Sequence, residues 1–340
     1  MDTQSASRTF LLLLQITQIV IKKLSMKKFM SASILATLFT FINAQEVVKD
    51  TIWKTGGVVS LNVTQAYFEN WTAGGVPSIT GVGFIKLFAT YEKSKWRWDN
   101  QLDMAYGLIQ ERQSNQRKTD DKLNFDTKLG YNVGNKWYAS LLGSFRTQFT
   151  PAYEDPDIQV VKISDFMSPA YLTISLGIDH IPNDNFSFFF SPISSKITMV
   201  TDQELADKGA FGVEKAKWDT TVVDSITIDS TLIEEGLNVR YEFGAHIKIM
   251  YKAKVWDNVD FITKLELYAN YLENFGNVDV NWEGLLDMKI NQYLSANLRV
   301  EVIYDDDIDI PTGTNEAGNQ TFGPRMQLKQ MFGLGISYKF

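Results

Sequence analysis

The residues of this chain that could do chemistry are two histidines, one run of aspartates and a long set of charged side chains at alternating positions. His246 stands among Arg240, Glu242, Lys248 and Lys252. Such a neighbourhood reads as a hydrogen-bonded charge network rather than a general base. His180 has the parity of Leu176 and Ile178, an apolar face. The nearby Ser187 and Ser191 alternate with Phe188 and Phe190, so they point the other way. Serine, base and orienter do not converge, and no hydrolytic triad is expected. Asp305, Asp306, Asp307 and Asp309 form the one carboxylate cluster that could hold Ca²⁺, an ion that accepts flexible oxygen ligation. Their spacing departs from an EF-hand loop, and a solvated acidic loop is the simpler reading. With no cysteine there is no thiolate metal site and no disulfide frame. No cofactor is implied, and the expectation is a protein that is not an enzyme.

The larger charged set defines one face of something. It comprises Arg97, Asp99, Asp103, Lys122, Asp126, Lys128, Arg146, Arg240, Glu242, Lys248, Lys264, Glu266, Asp287, Lys289, Arg299, Glu301, Arg325 and Lys329, with His246 among them. Each sits between apolar neighbours at a period of two, which is the pattern of a β-strand with unlike faces. The stretch after Gly236 shows this best. Leu237, Val239, Tyr241, Phe243, Ala245, Ile247, Ile249, Tyr251 and Ala253 alternate with polar residues without a break. The C-terminal stretch does the same from Met326 to Phe340, with Gln330 the one polar member of its apolar face. Both are long enough to cross a bilayer at a tilt.

Twelve such segments can be counted from Gly57 onward, an even number, as in single-chain bacterial outer-membrane barrels. The connections after the even-numbered segments are short. Those after the odd-numbered ones are longer, except Glu273 to Asn277. Three are long: Thr150 to Pro169, Thr201 to Glu235 and Asp305 to Gly323. A polar loop is expected over Gln113 to Asp121. The pattern predicts an all-β fold, a transmembrane antiparallel up-and-down β-barrel with the charged face enclosing the lumen. Short turns on the periplasmic side place the N-terminus there. Trp96, Trp137, Trp256, Tyr293 and Phe340 then mark the periplasmic rim, and Trp71, Phe149, Tyr271, Trp282 and Tyr304 the outer one.

The beginning of the chain reads as an address. Met26-Lys27-Lys28, an apolar run from Phe29 to Ile42 and then Asn43-Ala44 have the layout of a signal peptide over 26–44. Residues 1–25 read as an over-extended start, 45–55 as a periplasmic segment and 56–340 as the outer-membrane barrel. No plug-sized segment precedes the first strand, which argues against a plugged importer.

Asn70-Trp71 with Gly74-Gly75, Trp98-Asp99-Asn100, Tyr106-Gly107, Asp120-Asp121-Lys122, Thr147-Gln148-Phe149, Pro169-Ala170-Tyr171-Leu172, Ser191-Pro192 and Tyr338-Lys339-Phe340 together carry a resemblance. Over Trp53 to Phe340 the chain resembles an uncharacterised outer-membrane β-barrel family of Bacteroidetes, a domain of unknown function. The resemblance implies fold and location and supplies no mechanism. A terminal aromatic behind a long alternating strand likewise resembles the assembly signal of such barrels. Tyr338 and Phe340 are thus the expected contact with the barrel-assembly machinery. Asp219-Thr220-Thr221, Asp224-Ser225-Ile226 and Asp229-Ser230-Thr231 resemble Bacteroidetes O-glycosylation acceptors, within a loop whose alternation also permits a hairpin. The formal charge of −7 argues against a nucleic-acid partner. The expected partners are outer-membrane lipid and a small polar solute crossing the lumen. The alternative is a barrel without an open pore that binds partners through its outer loops.

Overall fold

The computed structural model describes residues 52–340 apart from 68–75, 113, 224–225, 275, 292–293, 316–317 and 319. The segments read as over-extended start, signal peptide and most of the periplasmic stretch lie outside the described residues, as do Trp71 and Tyr293.

Twelve strands close into one antiparallel barrel. In chain order they are β1 (Trp53–Ala66), β2 (Ser78–Lys93), β3 (Trp96–Glu111), β4 (Arg117–Gly134), β5 (Trp137–Thr147), β8 (Ala170–Asn183), β9 (Phe186–Met199), β12 (Val239–Trp256), β13 (Val259–Asn270), β14 (Asp279–Lys289), β15 (Leu294–Tyr304) and β18 (Gln327–Lys339). Each pairs with its neighbour in sequence, and β18 returns to β1. Closure gives every strand a neighbour on both sides, as a β-structure in hydrocarbon requires. Three small hairpins lie in the long connections. They are β6 (Ala152–Tyr153) with β7 (Lys162–Ser164), β10 (Lys217–Val223) with β11 (Ile226–Glu234), and β16 (Asp309–Thr314) with β17 (Gln320–Pro324). A single helical turn, α1 (Gln203–Asp207), precedes β10.

The wall is apolar outside and polar within. On β18 the outward Leu328, Phe332, Leu334, Ile336 and Tyr338 are all exposed. On β12 Tyr241 and Phe243 are exposed while Glu242, Gly244 and His246, on the opposite parity, are buried. A soluble barrel would invert this. Trp96, Trp137, Trp256 and Phe340 are exposed at the short-turn end, and Phe149 and Tyr271 at the long-loop end. Neighbouring rings support each other there: Trp96 with Tyr131, Trp53 with Tyr91 and Trp98, and Phe243 with Tyr271.

The structure departs from the sequence reading in three strands. Strand β1 begins at Trp53 and pairs with β2 from there, so 53–55 belong to the barrel rather than to a periplasmic segment. The polar run expected as a loop from Gln113 begins strand β4 already at Arg117, so Asp120 and Asp121 belong to the wall. Its apolar alternation is missing because this end rises above the apolar band, where strand pairing with β3 still continues. Strand β9 runs on to Met199 through Pro192, a residue that cannot donate to a ladder. Pro192 sits at a register shift, where the missing N–H costs no ladder bond. The shift changes which parity faces inward. Before it Ser187, Phe189 and Ser191 are buried; after it Ser194 and Thr198 are buried instead.

Candidate functional site

Alternation brings most of the charged set into the lumen, and the barrel's stagger decides who meets whom. At mid-height Asp126 of β4 is the centre of a cluster. Its carboxylate accepts from Lys248 Nζ at 2.7 Å, from Lys264 Nζ at 2.9 Å and from Ser144 Oγ at 2.6 Å. Glu266 lies 3.0 Å from Lys248 and 3.7 Å from Lys264, and also pairs with Arg146. These groups come from β4, β5, β12 and β13, so the cluster reaches across the lumen rather than along one strand. His246 is buried beside it. Its Nδ1 is 2.9 Å from Ser175 Oγ, which Ser194 Oγ also approaches at 2.8 Å, and Phe189 meets the imidazole edge-on. With Ser175 fully buried, this histidine is held as part of the packing.

A second cluster stands nearer the long-loop end. Lys196 of β9 is 2.8 Å from Asp279, 3.4 Å from Asp305 and 3.5 Å from Glu242. Arg240 pairs at 2.8 Å with both Asp307 and Glu273. Lys122 joins β4 to Glu283 of β14 and, at 3.4 Å, to Glu301 of β15. Lys329 of β18 reaches Asp120 of β4 at 2.5 Å. Toward the short turns Arg97 pairs with Asp99 at 2.8 Å and Lys128 with the buried Asp179. Asp103 accepts from Gln101, and Arg299 lies over the Phe84 ring, 4.2 Å from its centroid.

Three residues of the expected lining stand apart. Lys289 is exposed at the short-turn end, and Arg325 is exposed in the connector ahead of β18 rather than on a strand. Asp287 is half-buried and pairs on one rung with Asp260 of β13. The carboxylates read as a calcium candidate are not gathered around one point. Asp305 turns to Lys196, Asp307 to Arg240, and Asp306 to Asn277 and Tyr304. The Asp309 side chain is outside the described residues. Among those described, no three His, Asp or Glu side chains have the spacing of a metal site. The glycosylation-like hydroxyls of Thr220, Thr221, Ser225 and Ser230 fall among side chains outside the description, and Thr231 is exposed. His180 stacks on Trp137 with ring centroids 4.4 Å apart, at the short-turn end and away from any serine pair.

Reading alternation alone missed Lys196, Asp179, Glu283 and Asp120. Asp179 and Glu283 carry a parity signal, since Glu283 is in phase with Asp287. Lys196 is legible only with the Pro192 register shift, and Asp120 only once its segment is recognised as strand.

Two cavities lie along the interior among the described residues. One of about 540 Å³ opens toward the long loops, with Lys122, Arg146, Lys196, His246 and Glu266 in its wall. The other, about 350 Å³, lies toward the short turns, with Arg97, Asp126, Lys128, Lys248 and Lys264 in its wall. The Asp126–Glu266 cluster therefore contributes to both, and forms the layer where they meet. Leu142 and Phe189, both buried, narrow the same level. Above the larger cavity the connector after β9 folds back. Val200, Leu205, Ala206 and Val213 make a small core, Asp202 caps α1 through Leu205 N–H, and Phe211 enters the cavity wall. Lys162 of β7 donates to Asp202 at 2.6 Å and to Asp165 at 2.8 Å, tying two long connections together.

In sequence, residues 63–153 match a family described as a protein of unknown function (DUF3078). No curated protein matches the chain. Among solved structures, the translocator domain of the autotransporter NalP from Neisseria meningitidis is similar at 9% identity and a TM-score of 0.34, covering 92% of this chain and 96% of its own. The COG4313 outer membrane channel from Pseudomonas putida F1 is similar at 10% identity and 0.36, covering 87% and 100%. The NanC porin is similar at 8% identity and 0.30, covering 84% and 100%.

Proposed function

We infer that this chain is an integral outer-membrane barrel whose lumen carries small polar solutes, with the short-turn end and N-terminus in the periplasm. The single observation that carries the solute path is the pair of cavities meeting at one ion-paired layer. A lumen lined by both signs of charge is wet and suits polar groups. Closure at the waist rests on side chains, not backbone, so rearranging a few ion pairs would join the two cavities. The exposed apolar wall and the aromatic ends support the membrane placement.

Conductance in a planar bilayer tests this, with the full chain and with residues 201–235 deleted. The reading expects small, frequently closed conductances from the full chain and larger ones after deletion, because Phe211 leaves the mouth. Silence from both, together with no solute uptake in liposomes, overturns it. The same cross-lumen ion pairs favour one second reading, a permanently closed barrel that displays its loop hairpins to a surface partner. Crosslinking in cells that captures a neighbour at the β10–β11 hairpin would support that one.

A further inference from the structure

The barrel is stitched unevenly where its ends meet. Strand β1 pairs with β2 over all fourteen of its residues, and β18 with β15 over ten. Between β1 and β18, among the described residues, the register holds only five pairs, from Val58 with Lys339 to Asn62 with Gly335. Reciprocal backbone bonds between Gly57 and Phe340, at 2.9 and 3.1 Å, close the short-turn end. Toward the long loops the seam stops. Continuing the register would set Val63 against Leu334 and Gln65 against Phe332, and those rungs are absent although all four residues are strand. Unmade backbone bonds facing hydrocarbon are costly, so a split seam at membrane depth calls for something else to occupy it.

The end of the seam is built. The Asn62 side chain crosses the inner face of β18 and donates to Asn297 of β15 at 3.2 Å. It can do so because β18 has glycine at 333 and 335, where a Cβ would collide with the Asn62 amide. A latch thus ties β1 to the strand beyond its neighbour at the last paired rung. Beyond the latch, Gln327, Leu328 and Lys329 on the unpaired stretch of β18 belong to the wall of the larger cavity. The outward face there holds two glutamines, Gln65 and Gln330, both exposed, beside the exposed apolar Val63, Leu328 and Phe332. Inside, Lys329 spans the three strands β1–β3 to reach Asp120.

We propose that the unzipped β1–β18 seam is a lateral portal, through which the larger cavity exchanges a single-chain amphiphile with the surrounding lipid. The polar head would meet the glutamine pair and Lys329, and the chain would stay among Leu61, Val63, Leu328 and Phe332. A cavity of about 540 Å³ is in the range of small-ligand sites. This rests on the membrane reading of the barrel and adds a second, sideways path to it.

The test uses the full chain in liposomes containing a fatty acid that carries one photoreactive group beside its carboxylate and one in its chain, and maps adducts by mass spectrometry. Adducts on the lumen-side Gln327 and Lys329, in addition to outward residues such as Leu286 and Leu298, are expected. Adducts confined to outward residues overturn the portal and leave the membrane reading intact. No adducts anywhere overturn both. Because the chain has no cysteine, paired cysteines give a second readout. Leu61→Cys with Ile336→Cys lies on a paired rung and should oxidise to completion. Val63→Cys with Leu334→Cys should stay reduced; equal oxidation of the two pairs would mean the seam is closed.

Discussion

Replacing Asp126 by Asn strikes the waist of the barrel at its most loaded point. The carboxylate answers Lys248 at 2.7 Å and Lys264 at 2.9 Å, with side chains that are 14%, 14% and 11% exposed. Asn keeps the shape and one acceptor but leaves two ammonium groups facing each other beside Arg146. Removing one partner of a buried pair costs about 3–5 kcal/mol. Glu266 remains within 3.0 Å of Lys248 and 3.7 Å of Lys264, which places the loss at the lower end. About 3 kcal/mol is a little over a hundredfold in the folding equilibrium. Urea titration of the barrel in lipid, read by its mobility on unheated gels, measures it. The same variant should open more often in a bilayer, since mutual repulsion of the lysines pushes the cluster apart. Adding Lys264→Met removes that repulsion, so the double variant should lose less than the sum of the singles, with a coupling of about 0.5–3 kcal/mol. An Asp126→Asn protein with unchanged stability and unchanged conductance would refute the idea that this cluster closes the lumen.

Other predictions follow from single contacts. Gly335→Val puts a branched side chain against Leu61 O and the Asn62 amide, and should cost about 1–3 kcal/mol in the same titration. Deleting Phe340 removes both bonds to Gly57 and the ring stacked on Tyr338, and should reduce the folded, heat-modifiable band in membranes. The hydrogen bond from Lys162 holds the Asp202 carboxyl below its ordinary value, and the bonds to Asp165 and Asp202 raise the Lys162 ammonium. A depressed carboxyl contributes above its unfolded value of about 3.9 and is lost as pH falls further; a raised lysine contributes below about 10.4 and is lost as pH climbs beyond it. Amide protection over 162–168 and 202–206, corrected for intrinsic rates, should therefore hold from about pH 4 to 10 and weaken beyond either end. Loss of protection inside that range would contradict the clasp.

How far the sequence was legible varied by level, for physical reasons. The twelve strands could be read because each keeps one apolar and one polar face, and a period of two survives any tilt or stagger. The inward charges followed from the same parity. Their partners did not: Asp126 meets Lys264 across 138 positions of sequence, a pairing set by shear and not by any local pattern. The Lys196 cluster was hidden by the Pro192 register shift, which reverses the inward parity of β9. Asp120 was hidden because the strand end it sits on has no apolar face to alternate with. The incomplete β1–β18 seam left no trace in composition at all, since Val63 and Leu334 have ordinary strand sequences on either side.

The central claim is that the apolar faces look outward at lipid and the charged faces enclose the middle. A single-cysteine scan of β12 from Val239 to Tyr251, spin-labelled in lipid bilayers, tests it directly, and the absence of native cysteine keeps the background clean. Accessibility to oxygen dissolved in the membrane should peak at Tyr241, Phe243, Ala245, Ile247 and Ile249 and fall at every residue between. Peaks at Glu242, His246 and Lys248 instead, or no alternation because the labelled protein stays in the aqueous phase, would contradict the account.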